Sequence, residues 1–536
     1  MAGRGPLHLA ERERDMTPDP ATRPAPIADG YPDARVLGDL LRVQRERRPG
    51  AGAIAFTEGG SWTWAELADA VGRVQRELAR CGVGAGDRVA LLCDNSLDMV
   101  AVLLGIAGAG AVAVPVNTGL VGAGLAFVLG HCEPRLLVGD PAHLGRLRDA
   151  GAASVPAVPS DWYRQPAEVA PRSPATAAPA ARGVSTDTAM ILYTSGTTGD
   201  AKGVVLSHGC ILTAARASAG VMFEAGPDDV IYTCLPLFHC AAQQLGLWTA
   251  LVSGARLVLA PRFSAAAFWP QVHAHGVTAF HFIGPLLSIL WKAPPSPADG
   301  VHPARLAVGG GPRIAWRPFE DRFGVSCVEC YGMTETFGGC VTHRPGQGRL
   351  GSAGKALDHI EVQVVDEGGE PLPAGATGEI RIRGHRPGVL FDGYFKRPDL
   401  TAAALEGGWY RTGDLGSLDR DGYLTYASRA RDIIRCRGEN VSAVEVETVC
   451  AACPGVAECG VVGVPSELGE DDILVVVVPD QASFDLGDLF GFAAERLPAF
   501  AVPRFGQLAS ELPKTATGRI QRHLLRSFAE GARRRA

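Results

Sequence analysis

The sequence predicts an α/β fold in two unequal parts: a large N-terminal domain of parallel-rich sheets and helices with a small barrel, then a small α/β C-terminal domain. Three observations lead there. From Tyr31 onward short apolar runs alternate with amphipathic stretches, the rhythm of βαβ units. At Glu361 the rhythm changes to a period of two, and Glu361–Val365 and Glu379–Arg383 alternate between Gly/Pro turns as in a small antiparallel barrel. Beyond Arg431 a compact α/β unit of about a hundred residues follows, with strands at Gly460–Val464 and Ile473–Val478.

The elements follow in order. Residues 1–30 are polar and rich in Pro and Arg, and read as a disordered tail. Thr63-Trp-Ala-Glu66 is a capping box that opens a helix with Leu67, Val71, Val74 and Leu78 on one face. Gly82, Gly84 and Gly86 end it, and Val89–Leu92 is a buried strand. A helix from Met99 to Ala107 and a strand from Ala111 to Val116 continue the pattern. An Ala/Pro-rich loop spans 164–183, after which strands at Val230–Cys234, Arg256–Leu259 and Ala279–Phe282 alternate with helices at Gln243–Val252 and Ala265–His275.

Composition narrows the function classes. The chain has 536 residues, is 46% hydrophobic and carries a net charge of −6, so it holds more than one domain. Its only dense basic block is Arg533-Arg534-Arg535, too little for a nucleic-acid face. Met1–Asp15 lacks the apolar core of a signal peptide, and Met99–Val116 reads as strand and helix rather than a membrane span. Thirteen scattered cysteines fit reduced thiols of the cytoplasm. Cys327/Cys330 and Cys450/Cys453 have zinc-like spacing, but the pairs lie far apart in the chain.

The chemistry begins at Tyr193-Thr-Ser-Gly-Thr-Thr-Gly-Asp-Ala-Lys-Gly203, behind the apolar run Ala189–Leu192. Glycines let backbone N–H groups turn toward an anion, hydroxyls add donors and Lys202 adds a point charge, which suits a polyphosphate. It is not a Walker loop, because no Gly precedes a Lys-Ser/Thr pair. Downstream lie Val308-Gly-Gly-Gly-Pro312, Tyr331-Gly-Met-Thr-Glu-Thr336, Tyr410-Arg-Thr-Gly-Asp-Leu-Gly416, Ser428-Arg-Ala-Arg431, Arg437-Gly-Glu-Asn440 and Leu512-Pro-Lys-Thr-Ala-Thr-Gly-Arg519. Glu335 offers a hard carboxylate for Mg²⁺, and Tyr331 a ring to lie against a base.

These strings, in this order, resemble the adenylate-forming superfamily of acyl-CoA synthetases, luciferases and peptide-synthetase adenylation domains. Phe268-Trp269, His281–Gly284, Leu290-Trp291 and Arg437–Asn440 are most similar to carnitine/crotonobetaine-CoA ligases. The resemblance implies an ATP-dependent, AMP-forming ligase that activates a small acid as its AMP ester with release of diphosphate. Its small domain is mobile and turns between half-reactions about a hinge at 429–431, dividing a 31–428 domain from 432–536. ATP contacts are implied for Thr194, Ser195, Gly196, Thr197, Thr198, Gly199, Lys202, Gly310, Gly311, Pro312, Tyr331, Gly332, Thr334, Asp414 and Arg429. Catalytic roles fall to Lys202, His239, Glu335 and Arg519, a metal role to Glu335 with Mg²⁺, and acceptor contacts to Arg437, Gly438 and Glu439, with CoA as co-substrate. His208 reads as structural.

Three positions depart from the family pattern: Ala201 replaces a proline, Ser428 a glycine, and Arg519 a lysine that bridges carboxylate and α-phosphate. Arginine keeps the charge but is bulkier and never neutral. A second expectation follows from Arg519: a diazotase of natural-product (antibiotic) biosynthesis that activates nitrite and transfers it to an aryl amine.

Overall fold

The computed structural model describes residues 35–164, 184–194, 201–310, 316–366, 368–429, 433–467, 469–480, 483–513, 520 and 522–535. The N-terminal tail, Ser195–Gly199, Gly311, Pro312, Arg431, Lys514 and Arg519 lie outside the described residues, as does the side chain of Arg429.

Two large sheets form the N-terminal part. One has nine strands, ordered Lys355–Ala356, Gly338–Thr342, Ser326–Met333, Leu306–Gly310, Ala279–Ile283, Val230–Thr233, Arg256–Leu259, Gly52–Phe56 and Ser61–Thr63. The other has seven, with Thr188–Thr194, Val112–Pro115, Arg88–Leu92 and Leu136–Gly139 at its centre. The inner strands of both run parallel and are buried on both faces, which is why they read as continuous apolar runs. The antiparallel partners lie toward the edges.

Helices between the sheets supply the largest core. Trp64–Arg80 starts at the predicted box: the Thr63 hydroxyl accepts from Glu66 N–H at 3.2 Å and Glu66 accepts from Thr63 N–H at 2.8 Å. Its face of Leu67, Val71, Val74 and Leu78 packs on Leu97–Gly108, a helix buried almost all round, in the same cluster. Gly105 makes the approach possible, because a Cβ there would lie 2.4 Å from a Val74 methyl carbon.

The period-two region is an antiparallel sheet of Ile360–Val365, Gly378–Gly384, Trp409–Leu418, Leu405–Glu406 and Leu424–Arg429 around its own apolar cluster. The small C-terminal part pairs Ile433–Cys436 with Glu439–Ser442, and stacks helices Ala443–Ala451 and Leu486–Ala494 against Val456–Pro465, Asp471–Pro479 and Phe505–Leu508. Cys327 and Cys330 sit on one strand of the large part and Cys450 and Cys453 at a helix end of the small one. Burial raises all four thiols, and they are free. Among the described residues no helix is long and apolar enough to cross a membrane.

Candidate active site

The two ends of the Tyr193–Gly203 string lie on paired strands. Thr188–Thr194 pairs antiparallel with Lys202–Ser207, and Thr194 and Lys202 face each other across its base. Gly203 is pressed against Ile191 and Tyr193, where a Cβ would sit 2.9 Å from an Ile191 carbon. Lys202 Nζ lies 5.0 Å above the Tyr394 ring.

Tyr394 links the loop to the next motif. Its hydroxyl donates to Glu335 Oε1 at 2.8 Å, and Glu335 is itself 8% exposed. The strand Ser326–Met333 ends in a short turn, Thr334–Thr336, that carries this carboxylate. The Thr336 hydroxyl fixes the turn, accepting from Met333 N–H at 3.0 Å and donating to the Gly338 carbonyl at 2.6 Å. Gly332 cannot carry a side chain, since a Cβ would fall 1.8 Å from Gly338 O. Thr334 Oγ1 lies 3.7 Å from Cys240 Sγ.

Tyr331, on the same strand, donates its hydroxyl to Asp414 Oδ2 at 2.9 Å, and both residues are buried. Burial first, and the Asp414 charge second, push the phenol well above its usual range, so it remains a donor at any working pH. The Tyr394 phenol is raised in the same way, by burial and then by Glu335.

A π-helical stretch, Gln243–Trp248, backs the cleft and lends it Leu245. Gln244 clamps Gly339, donating to its carbonyl at 3.0 Å and accepting from its N–H at 2.7 Å. Gln243 donates to Leu237 O at 2.8 Å. The preceding loop, Leu235-Pro-Leu-Phe-His239, is anchored by Asn95, whose amide donates to Leu235 O and Ala260 O and accepts from Leu237 N–H at 2.9 Å. His239 is thereby held at the mouth.

From the small part, the turn Arg437-Gly-Glu439 reaches His239. Glu439 Oε1 lies 2.6 Å from His239 Nε2. Burial alone would raise this carboxyl, but the His239 charge and hydrogen bond, with Arg435, outweigh it and hold Glu439 below the usual range. Gly438 has φ +82° and lies on Ile283, where a Cβ would be 2.4 Å from Cδ1. Glu470 holds the turn, accepting from Gly438 N–H at 2.7 Å and pairing with Arg435 Nε at 3.4 Å.

One cleft of about 2350 Å³ joins these groups. Thr194, Lys202, His239, Gly310, Tyr331, Gly332, Thr334, Glu335, Asp414, Arg437, Gly438 and Glu439 all line it. Tyr394, Asn95 and Glu470 were not singled out from sequence; each stands outside the motif strings it supports. His208 is structural as read: its buried Nδ1 accepts from Leu37 N–H at 3.3 Å.

The profile of AMP-binding enzymes matches residues 41–395, and that of the AMP-binding enzyme C-terminal domain matches 445–519. The chain belongs to the AMP-binding enzyme family. Among curated relatives, a crotonobetaine/carnitine–CoA ligase of Salmonella paratyphi C is 32% identical over 480 residues, covering 86% of this chain and 92% of the relative. The fold matches a double mutant of o-succinylbenzoate CoA synthetase from Bacillus subtilis, bound with a CoA product analogue, at TM-score 0.80 and 28% identity over 91% of this chain and 97% of that one. The same enzyme in complex with AMP matches at 0.65, with equal identity and coverage. This AMP-binding enzyme is an ATP-dependent, AMP-forming ligase of the acid–CoA ligase type.

Proposed function

We propose that this enzyme joins an apolar carboxylic acid to CoA in two half-reactions within the one cleft. In the first, the acid's carboxylate attacks the α-phosphorus of ATP, an acyl–AMP ester forms and diphosphate leaves. In the second, the thiol displaces AMP. The observation that carries this reading is the contact of Glu439 with His239 across the cleft, with Gly438 seated on Ile283. The contact supports the reading because, with 432–536 taken as the small domain and 31–428 as the large one, a turn expected to meet the acceptor and a residue expected to line the acid pocket touch, as the second half-reaction requires.

In this reading Lys202 and the Thr194–Gly199 loop hold the phosphates, and Asp414, steadied by Tyr331, holds the ribose with Arg429. Gly310, Gly311 and Pro312 flank the base. Glu335 suits a Mg²⁺ ligand: one oxygen accepts from Tyr394, and the other has no hydrogen bond among the described residues, an open hard donor facing the cleft. The metal would supply positive charge for the leaving diphosphate. Arg519 takes the place of the family lysine at the α-phosphate, where removing a charge-assisted contact costs on the order of a hundredfold in rate. The acid's body is taken to be uncharged, because Leu235, Phe238, Leu245, Phe282, Ile283 and Met333 are among the residues that line the cleft.

The test is ATP–diphosphate exchange across a panel of aromatic and aliphatic acids, carnitine and nitrite, followed by thioester detection with CoA and amide detection with amines. Exchange with apolar acids and a CoA thioester are expected. Exchange with nitrite alone, or product with an amine and none with CoA, would overturn the reading. No observation of the structure favours nitrite.

A further inference from the structure

His239 meets Glu439 because two turns from different parts of the chain arrive together. The turn of His239 is closed by its own backbone: His239 N–H donates to the Pro236 carbonyl at 3.1 Å, and the His239 carbonyl accepts from Gln243 N–H at 3.3 Å. Phe238 packs edge-on against the imidazole, with ring centroids 4.7 Å apart. Glu439 opens the strand Glu439–Ser442, directly after Gly438. The side chain of His239 is 36% exposed and that of Glu439 17%, so the carboxylate is covered while the imidazole stays open in the cleft.

The contact sets the tautomer of the ring. Burial opposes the charged form of Glu439, but His239 and Arg435 outweigh it, so the carboxylate stays ionised and only accepts. Nε2, 2.6 Å away, therefore carries the ring hydrogen. In the neutral imidazole Nδ1 is then left as the acceptor, and among the described residues it makes no hydrogen bond. A carboxylate orienting a histidine whose second nitrogen is free is the arrangement of a general base. The charged groups about it are Glu439 and Arg435 of the small part, Arg437 on the same turn, and Glu335 of the large part, whose charge reaches the neighbouring Cys240.

We infer that His239 is the catalytic base of the second half-reaction, and that Glu439 is the positioning residue that fixes its tautomer. The inference rests on the CoA reading above. The thiol S–H gives its proton to Nδ1, while the Nε2 hydrogen stays with Glu439. The sulfur electron pair forms the bond to the acyl carbonyl carbon. The bond from that carbon to the phosphate oxygen breaks, and AMP leaves with its electron pair. The proton on Nδ1 then passes to solvent. Because one member comes from each part, the base is complete only where the two parts meet as they do here.

The experiment follows single-turnover thioester formation from preformed acyl-adenylate and CoA, from about pH 6 to about pH 10, for wild type, His239→Gln and Glu439→Gln. Glutamine at 239 keeps a donor for Glu439 but takes up no proton. Its rate at saturating CoA should fall about a hundredfold at neutral pH. That loss should shrink as pH rises past about 8.5, where a free cysteine-like thiol ionises without help. Glu439→Gln should lose about tenfold or more with the same pH dependence, because its amide donates to Nε2 and moves the ring hydrogen to Nδ1. The apparent affinity for CoA should change little in either. A loss of equal size at every pH, or a loss of CoA affinity in place of rate, makes the pair structural and overturns the base. A wild-type rate for His239→Gln at neutral pH does the same. If one variant fails to fold by circular dichroism, the other carries the same pH signature. A wild type that makes acyl-adenylate but no CoA thioester removes the acceptor reading itself, a result distinct from a thioester formed without that signature.

Discussion

At the scale of single residues, two hydrogen bonds divide the work of the cleft. Tyr331 gives Asp414 a donor that burial keeps protonated. Tyr331→Phe keeps the ring and removes that donor; a hydrogen bond to a charged group is worth about 1.5–3 kcal/mol. KM for ATP should rise about tenfold or more, read by exchange kinetics, with a smaller effect on thioester formation from preformed acyl-adenylate. Glu439 reaches His239 from the small domain. Glu439→Gln should therefore slow thioester formation by about tenfold or more while ATP–diphosphate exchange stays near wild type. Equal losses in both assays would remove Glu439 from the second half-reaction. The reach of sequence shows clearly here. Glu335 and Asp414 were legible because each sits inside a string that repeats across a family. Tyr394, Asn95 and Glu470 were not, since each is a lone residue brought to the site by the tertiary fold, with no local pattern to mark it.

At the scale of elements, the turn at Gly438 is a close contact between the two parts. Its φ of +82° favours glycine, and Ile283 leaves no room for a methyl group. Gly438→Ala should impair docking and lower the thioester-forming rate by about a hundredfold, with exchange preserved. Adding Ile283→Ala should restore part of the rate by removing the steric contact but not the backbone strain. No rescue, read in single-turnover assays, would mean that strain alone is responsible. Period and caps made most strands and helices of this region readable, including the Glu361–Val365 and Glu379–Arg383 pair, which align strand to strand in register. The hairpin at Lys202 was not, because an antiparallel return of six residues looks like any buried strand until its partner is known. The two-residue strand Arg533–Arg534 carries no periodicity at all, and read only as a basic block.

At the scale of the whole molecule, desolvated histidines contribute to the response to acid, three of them most strongly. Burial lowers His281 to about 3 and His208 to about 4, and burial with nearby Arg386 lowers His359 to about 4. In the unfolded chain each returns to near 6.5. Below that value the unfolded chain takes up protons that the fold refuses, so stability is intact above pH 6.5 and is lost as pH falls toward 4. A pKa displaced by one pH unit corresponds to about 1.4 kcal/mol, so the three together cost several kcal/mol. The melting temperature should fall steeply between pH 6.5 and 4, and His281→Gln should flatten that slope. A slope identical to wild type would show that His281 does not contribute.

The π-helical wall has a consequence of a different kind. An α-helix turns about 100° with each residue, and a π-helical stretch such as Gln243–Trp248 fits more residues into each turn. Deleting one residue there lets the stretch relax toward an ordinary helix and swings one side of the wall relative to the other. A single codon lost from the gene would thus turn Leu245, which lines the cleft, relative to Ala241 and Ala242, while the strands that carry Lys202 and Asp414 keep their places. The change would be felt first at Gln243 and Gln244, whose grip on Leu237 and Gly339 depends on the surplus residue. The lining of the cleft at Leu245 would change by a shift of phase, with no substitution elsewhere.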